Sequence, residues 1–170
     1  MPELIDSMLA QNTPEPERRF IAGLAWAVGA RVALETGTAE GGTALALSGV
    51  CEHVVTIDND PQTGELVLDL ENVTRMHGDA LEMLPAALET AQPEFVLLDD
   101  SHDPEHVVAE MKIVLECTSV RAIVVHDALA REGLAEALKL HCSDVWIIDT
   151  GERPGLGVWL SHKWQEIKRD

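Results

Sequence analysis

Seven short apolar runs recur along the chain, and most are separated by stretches in which apolar residues have helical spacing. The runs are VALE (32–35), HVVTID (53–58), NVTRMH (72–77), EFVLLD (94–99), AIVVHD (122–127), VWIIDT (145–150) and GVWLSH (157–162). Between them lie TALALSG, GELVLDLE, ALEMLPAALET, PEHVVAEMKIVLE and LAREGLAEALKLH. Strands that are apolar on both faces and alternate with helices predict a parallel sheet covered by helices on both sides. The predicted fold class is therefore α/β.

The two ends of this pattern differ from its middle. TGERPGLG joins the last two runs without a helix, which predicts an antiparallel hairpin at a sheet edge. Before the first run, Thr13 and Pro14 followed by Glu15 and Glu17 predict the start of a helix that ends near Gly29. A length of 170 residues suits one domain. We expect a single domain over 1–170, with N-terminal helices in 1–30 and an α/β core in 31–170.

The charge of the chain excludes some partners. Twelve Lys and Arg residues against thirty Asp and Glu residues give a formal net charge of −18. Such a field repels phosphate backbones and acidic lipids, so neither nucleic acid nor a membrane is expected as a partner. The sequence contains no apolar run of membrane-spanning length and its first residues do not resemble a signal peptide, so we expect a cytoplasmic protein.

The stretch LETGTAEGGTALAL (34–47) has the composition of a ligand-binding loop that opens a helix. It is not a P-loop, because Thr43 stands at the lysine position, and it is not a dinucleotide fingerprint, because Ala39 replaces the second glycine. Glu40 would also repel a diphosphate. A phosphate-free, positively charged nucleoside fits better. The N–H groups at the helix start could bind a carboxylate of this ligand, and Glu35 could accept from its ammonium group. S-adenosylmethionine has these features, and its predicted contacts in this loop are Glu35, Gly37, Thr38 and Gly41.

Acids follow five of the predicted strands. In an open parallel sheet, ligands bind beyond the carboxyl ends of the strands. Asp58 lies 23 residues after Glu35, a spacing typical of the acid that receives the ribose hydroxyls. Asp79 is predicted either to accept from the amine of adenine or to cap the helix beginning at Ala80. The other acids at these ends are Asp99 and Asp127.

These motifs resemble those of the class I S-adenosylmethionine-dependent methyltransferases. ETGTAEGG is similar to their glycine loop, VVTIDND to their second-strand acid and HGDAL to their adenine-side acid. FVLLDDSHDPEHV and AIVVHDAL resemble the small-molecule O-methyltransferases whose fourth strand ends in D-G-D-H and whose fifth ends in H-D. Asp100 and Ser101 depart from that pattern. The resemblance implies a Rossmann-like three-layer fold with strand order 3-2-1-4-5-7-6, and it adds Asn59, Ala80 and Asp99 to the cofactor contacts.

Methyl transfer needs an oriented nucleophile and a group that removes its proton. His102 lies three residues after Asp99, where relatives carry a base, so His102 and Asp99 are the predicted catalytic residues. The resemblance also implies Mg²⁺ or a similar ion, for which Asp99, His126 and Asp127 are the predicted ligands. The third ligand stays open, because H-D stands where catechol-type relatives have D-N.

The predicted function is S-adenosylmethionine-dependent methylation of an oxygen on a small molecule. One alternative is an aminopropyltransferase of the same fold, since the acidic field suits a polyamine; against it, no N-terminal β domain is expected, nor further acids beyond Asp99 and Asp100 at the fourth strand. Another is a protein that binds S-adenosylmethionine without catalysis. The segment that covers the substrate in relatives is short here, so we also expect a homodimer that completes the site. The acceptor is not identified by the sequence.

Overall fold

The computed structural model describes residues 13–151 and 155–162, and it contains seven strands and five α-helices in these ranges. The strands are β1 (Val32–Thr36), β2 (His53–Asp58), β3 (Val73–His77), β4 (Phe95–Leu98), β5 (Ala122–Val125), β6 (Trp146–Ile148) and β7 (Leu156–Leu160). The helices are α1 (Glu15–Ala27), α2 (Gly42–Ser48), α3 (Ala80–Ala91), α4 (Pro104–Leu115) and α5 (Leu134–His141), with a 3₁₀ turn at Glu65–Val67. The part of the predicted N-terminal helices before residue 13 lies outside the described residues.

All seven strands form one sheet in the order β3-β2-β1-β4-β5-β7-β6. The pairs from β3 to β5 are parallel, whereas β7 runs antiparallel to both β5 and β6. The predicted α/β class, strand order and closing antiparallel hairpin are therefore confirmed. The seven residues between Ile148 and Leu156 are too few for the crossover that a parallel pair needs, so the chain reverses direction between β6 and β7.

The core consists of two apolar layers, one on each face of the sheet. Buried residues of α3, α4 and α5, such as Leu84 and Met111, pack on one face with Leu34 of β1. Residues of α1 and α2, such as Ile21 and Leu47, pack on the other face. No helix among the described residues combines the length and the apolar character that crossing a membrane requires.

Two predicted helices are shorter than expected. In GELVLDLE only the 3₁₀ turn Glu65–Val67 forms, because Val67 is buried while Leu68 is exposed, so a further turn would have no apolar face against the sheet. The predicted helix from residue 129 begins only at Leu134. Gly133 precedes it with φ of 81°, a left-handed conformation that interrupts any helix entering from residues 129–132.

Candidate active site

A cavity of about 650 Å³ opens at the carboxyl ends of the central strands. Eight of the predicted site residues line it: Glu35, Gly37, Thr38, Asp58, Asp99, His102, His126 and Asp127. The remaining lining residues are Thr13, Pro14, Ala39, Thr43, Asp100, Ala130 and Arg131. The predicted contacts Gly41, Asn59, Asp79 and Ala80 lie outside this lining. The structure thus gathers most of the predicted site around one opening.

The glycine loop lies against the end of β4. Gly37 has φ of 82°, and a Cβ atom there would lie 2.3 Å from the carbonyl oxygen of Asp99, so only glycine fits. The next turn brings the Ala39 N–H to Asp58, where it donates to Oδ2 at 3.0 Å. Gly41, with φ of 91°, then precedes α2. Gly37 thus brings the loop backbone against the end of β4, where it lines the cavity.

Glu35 forms the buried floor of the cavity. Its carboxyl accepts a hydrogen bond from the Thr56 hydroxyl at 2.7 Å. The Thr56 hydroxyl also lies 2.7 Å from the Thr38 hydroxyl, so the three side chains form one hydrogen-bonded series. Burial, opposed by the Thr56 hydrogen bond, raises the pKa of Glu35 to about 8. A cation entering the cavity would favour the ionised form of this acid, so the floor suits a positively charged ligand.

Asp58 is positioned by the two backbone segments beside it. Its Oδ2 accepts from Ala39 N, and its Oδ1 accepts from Asp60 N at 2.9 Å. Each carboxylate oxygen can accept a second hydrogen bond. Asp58 therefore lies at the carboxyl end of β2 with two oriented oxygens, each of which can accept a hydrogen bond from a hydroxyl. Its contact with ribose remains a prediction.

Asp79 caps a helix, which is one of the two roles that the sequence left open. Its Oδ1 accepts from Leu81 N at 2.9 Å and from Glu82 N at 3.4 Å, at the start of α3. Its contact with adenine stays a prediction. Nearby, the Asn59 carbonyl accepts from His77 Nε2 at 3.0 Å, so the Asn59 backbone already has a structural partner.

His126 lies between two acids at the end of β5. Its Nε2 is 2.8 Å from Glu17 Oε2, and its Nδ1 is 3.0 Å from Asp99 Oδ1. Burial alone would lower the pKa of His126, but the hydrogen bond to Asp99 and the charges of Asp99, Asp127 and Glu17 raise it to about 9. The ring is therefore an imidazolium at neutral pH, and it neutralises charge within the site.

Glu17 is a site residue that sequence reasoning did not identify. It lies on α1, is fully buried, and accepts from Thr150 Oγ1 at 2.5 Å and from Gly155 N at 3.1 Å in addition to His126. The sequence shows it only as an acid in the first turn of a helix, where exposed acids are common. Its burial depends on a tertiary contact with β5, which no local pattern reveals.

The predicted metal ligands come together at the carboxyl end of β5. His126 Nδ1 is 3.0 Å from Asp99 Oδ1 and 3.5 Å from Asp127 Oδ1, while its Nε2 faces Glu17. Because the surrounding carboxylates hold His126 as an imidazolium, a metal ion bound at Nδ1 would have to displace the proton there. The assignment of Asp99, His126 and Asp127 to a metal ion stays a prediction.

His102 reaches the cavity from the loop after β4. Its Nδ1 is 3.4 Å from Asp127 Oδ2, and Arg131 Nε is 3.4 Å from the same oxygen. About 43% of the His102 side chain is exposed, so a ligand in the cavity can approach it. The carboxylate behind the ring can orient it, as in other histidine bases. The role of His102 as a base remains a prediction.

Comparisons with solved structures identify the same fold in other proteins. The chain is similar to the cofactor-bound protein Rv0187 from MTB, with 23% identity, 88% of this chain and 81% of that chain covered, and a TM-score of 0.73. It is similar to the O-methyltransferase TomG from Streptomyces achromogenes, which is involved in tomaymycin synthesis and was solved in complex with S-adenosylmethionine, with 21% identity, 88% and 81% covered, and a TM-score of 0.70. A third similar structure is a precorrin 8w decarboxylase from Methanobacterium thermoautotrophicum, with 23% identity, 86% and 89% covered, and a TM-score of 0.65.

These likenesses concern the fold. At identities of 23% and below they show the fold alone, a three-layer α/β architecture with the sheet order described above. No protein-family model matches this chain, and no curated protein matches it. Because a decarboxylase is among the similar structures, the reaction has to be argued from the site.

Proposed function

We propose that this protein is an S-adenosylmethionine-dependent methyltransferase that acts on an oxygen atom of a small molecule. The observation that carries the proposal is the acid-lined cavity beside the glycine loop, which joins Glu35, Asp58 and the backbone at Gly37 around one opening. The cavity lies at the carboxyl ends of the strands, where ligands of open α/β sheets bind. A solved structure of this fold, TomG, was obtained with S-adenosylmethionine bound.

The charges of the cavity support a cationic ligand without phosphates. Five acids line it, Glu35, Asp58, Asp99, Asp100 and Asp127, against two cations, Arg131 and the His126 imidazolium. A diphosphate would be repelled by this lining, and the loop carries no lysine for it. A sulfonium compound with an ammonium group and two ribose hydroxyls matches the acceptors that Glu35 and Asp58 present. The residues of the cavity therefore fit S-adenosylmethionine.

The proposed chemistry assigns one task to each side of the cavity. When bound, S-adenosylmethionine supplies the methyl group that is transferred. On the chain's side, His102 accepts the proton of the acceptor hydroxyl, and Asp127 holds the ring of His102 through Nδ1. Asp99 and the His126 imidazolium form a fixed dipole beside the reacting groups. The small-molecule acceptor and the expected homodimer both stay predictions.

Calorimetry tests the cofactor half of this proposal. We expect the purified chain to bind S-adenosylmethionine and S-adenosylhomocysteine, and Asp58→Ala to weaken binding by about 10–100-fold through the loss of two hydrogen bonds to a charged acceptor. Asp69→Ala is the control, because Asp69 is an exposed acid outside the cavity lining. A wild-type chain that binds neither compound would contradict the proposal.

Turnover tests the catalytic half. In an assay for S-adenosylhomocysteine release over a panel of phenols and other small hydroxyl compounds, His102→Gln should lower kcat by about 10²–10⁴-fold while cofactor affinity stays within about twofold. His141→Gln is the control, since His141 is exposed at the end of α5. Tight cofactor binding without turnover on any acceptor would favour the non-catalytic alternative, and turnover only with decarboxylated S-adenosylmethionine and a polyamine would favour aminopropyl transfer.

A further inference from the structure

A second group of ionisable side chains lies between the end of β4 and α4, on the face of the sheet that α3, α4 and α5 cover. Asp100 follows β4, and His106 and Glu110 are four residues apart on α4, so they share one face of that helix. His106 Nε2 is 3.4 Å from Asp100 Oδ1. One ligand atom from each of the three residues lies within 4.8 Å of the other two. None of the three belongs to the cofactor, catalytic or metal sites that the sequence predicts.

The polar atoms of this group lack the partners that buried atoms normally have. Glu110 is fully buried, and within the described part of the chain neither of its carboxyl oxygens has a hydrogen-bond partner. The same is true of His106 Nε2 and of the hydroxyl of Thr36, a fully buried residue at the end of β1. The Thr36 hydroxyl is close enough to Glu110 to lower its pKa, although it does not reach hydrogen-bond geometry.

Four unpartnered buried atoms around one point are unusual. Each such atom costs about 1–3 kcal/mol, and native structures contain only a few. Among residues 13–151 and 155–162, no lysine or arginine forms an ion pair with Asp100 or Glu110, and the nearby Asp79 adds further negative charge to both. The group therefore lacks a positive partner, and the space between its ligand atoms is the place for one.

We propose that Asp100, His106 and Glu110 bind one divalent transition-metal ion of the Zn²⁺ or Mn²⁺ type. An imidazole nitrogen with two carboxylates suits such ions, whereas Mg²⁺ prefers oxygen ligands alone. Metal–ligand bonds of ~2.0–2.2 Å place ligand atoms ~3–3.5 Å apart. The Asp100–His106 pair already has that separation, at 3.4 Å, and a carboxylate oxygen of Glu110 lies within 4.8 Å of both ligand atoms.

An ion at this location would stabilise one wall of the cavity. Asp100 also lines the cavity, so the ion would tie the loop after β4 to α4 and fix one wall of the opening. The Thr36 hydroxyl would then donate to a metal-bound carboxylate of Glu110, which is the usual second partner of such a ligand. The proposal concerns binding by this chain alone and does not depend on methyl transfer.

The test is metal binding by the purified full chain after dialysis against EDTA. Titration with Zn²⁺, Mn²⁺ and Mg²⁺ is followed by calorimetry, and Co²⁺ serves as a spectroscopic probe of imidazole ligation. The test variants are His106→Gln and Glu110→Gln, which keep the size of the side chains. Glu105→Gln is the matched control, an exposed acid in the first turn of the same helix.

We expect one equivalent of Zn²⁺ or Mn²⁺ to bind the wild type and Glu105→Gln equally, more tightly than Mg²⁺. Both test variants should bind at least about tenfold more weakly, since even second partners of ligands contribute ~10–100-fold. The Co²⁺ absorption band should disappear in His106→Gln, and circular dichroism should show that each variant is folded. No stoichiometric binding by the wild type would overturn the proposal. Binding that the two test variants retain in full would overturn it as well, because the ion would then lie elsewhere on this acidic surface.

Discussion

Asp99 and Asp100 are adjacent in the sequence, yet they belong to two charge clusters on opposite faces of the sheet. Side chains alternate along a strand, so Asp99 follows the direction of Leu97 toward α1, and Asp100 follows that of Leu98 toward α4. The cluster on the α1 face is Asp99, His126 and Glu17. One peptide bond thus separates two environments whose charges are balanced differently.

The α1 cluster balances its charge internally. The His126 imidazolium lies between Glu17 and Asp99 at 2.8 and 3.0 Å, and its acids receive further hydrogen bonds from the chain. The α4 cluster of Asp100, His106 and Glu110 has the same composition of one histidine and two acids, but Glu110 has no hydrogen-bond partner among the described residues. Identical residue types therefore form a self-contained ion network in one place and an incomplete one in the other.

The difference arises from where the histidine lies. His126 is at a strand end, where acids of α1 and β4 approach it from both sides, so it gains a proton and acts as the cation. His106 is on the same helix as Glu110, and among the described residues its one ion-pair partner is Asp100. The α1 cluster therefore contains its own cation between two acids, whereas no described lysine or arginine pairs with the acids of the α4 cluster.

Removing the histidine of the complete cluster should have the largest effect. His126→Ala leaves Glu17 and Asp99 buried without their cation, which costs about 3–5 kcal/mol. Urea denaturation at pH 7 measures this as a lower midpoint with an unchanged slope. The double variant Glu17→Gln, His126→Ala should lose less than the sum of the single losses, because one orphaned charge is gone. A cost below that of the exposed His141→Ala would show that the network carries no stability.

The same cluster gives the protein an unusual dependence of stability on pH. The folded pKa of His126 is raised from 6.5 to about 9, so its contribution is fully present below pH 6.5 and is lost as the pH rises through 9. We expect the free energy of unfolding to fall by roughly 2–4 kcal/mol between pH 6.5 and 9.5. His126→Gln should flatten this decline. A wild-type stability that is level or rises over the same range would contradict the assignment of an imidazolium.

In the incomplete cluster, a substitution should stabilise the protein. Burial and the charge of Asp100, opposed by Thr36, raise the pKa of Glu110 from 4.5 to about 8. The folded state therefore keeps a proton that the unfolded state loses, and Glu110 destabilises the fold increasingly from pH 4.5 to 8. In EDTA, Glu110→Gln should match the wild type near pH 5 and exceed its stability by about 1–3 kcal/mol at pH 9. Added Zn²⁺ should reverse that order, and equal curves at every pH would show that the carboxyl is not strained.

The contrast between the clusters also shows what the sequence could predict. The periodicity of the apolar runs predicted the α/β class. The glycine loop and the strand-end residues predicted eight of the residues that line the cavity, because parallel strands bring their carboxyl ends together, whereas Gly41 and Asp79 lie outside the lining. The partner of His126 was beyond reach, since Glu17 is 109 residues away and its burial depends on how α1 packs. Helical spacing places Glu110 on the apolar face of α4 with Val107 and Val114, but it does not reveal that the Glu110 carboxyl has no hydrogen-bond partner among the described residues.

The smallest effect is expected at Asp79, which precedes α3 and adds negative charge near the α4 cluster. Its two candidate roles are to cap α3 and to contact adenine. Asp79→Ala removes the cap of α3 and should cost about 0.5–2 kcal/mol, whereas Asp79→Ser keeps a capping oxygen and should cost a few tenths. Loss of the Asp79 charge should also make Glu110 slightly easier to ionise, because that charge raises the pKa of Glu110. Cofactor calorimetry then separates the roles: serine keeps the capping oxygen but removes the carboxylate, so a pure cap predicts full affinity in Asp79→Ser. An affinity that falls equally in the serine and alanine variants, while only the alanine variant loses stability, would assign Asp79 to adenine as well as to the helix.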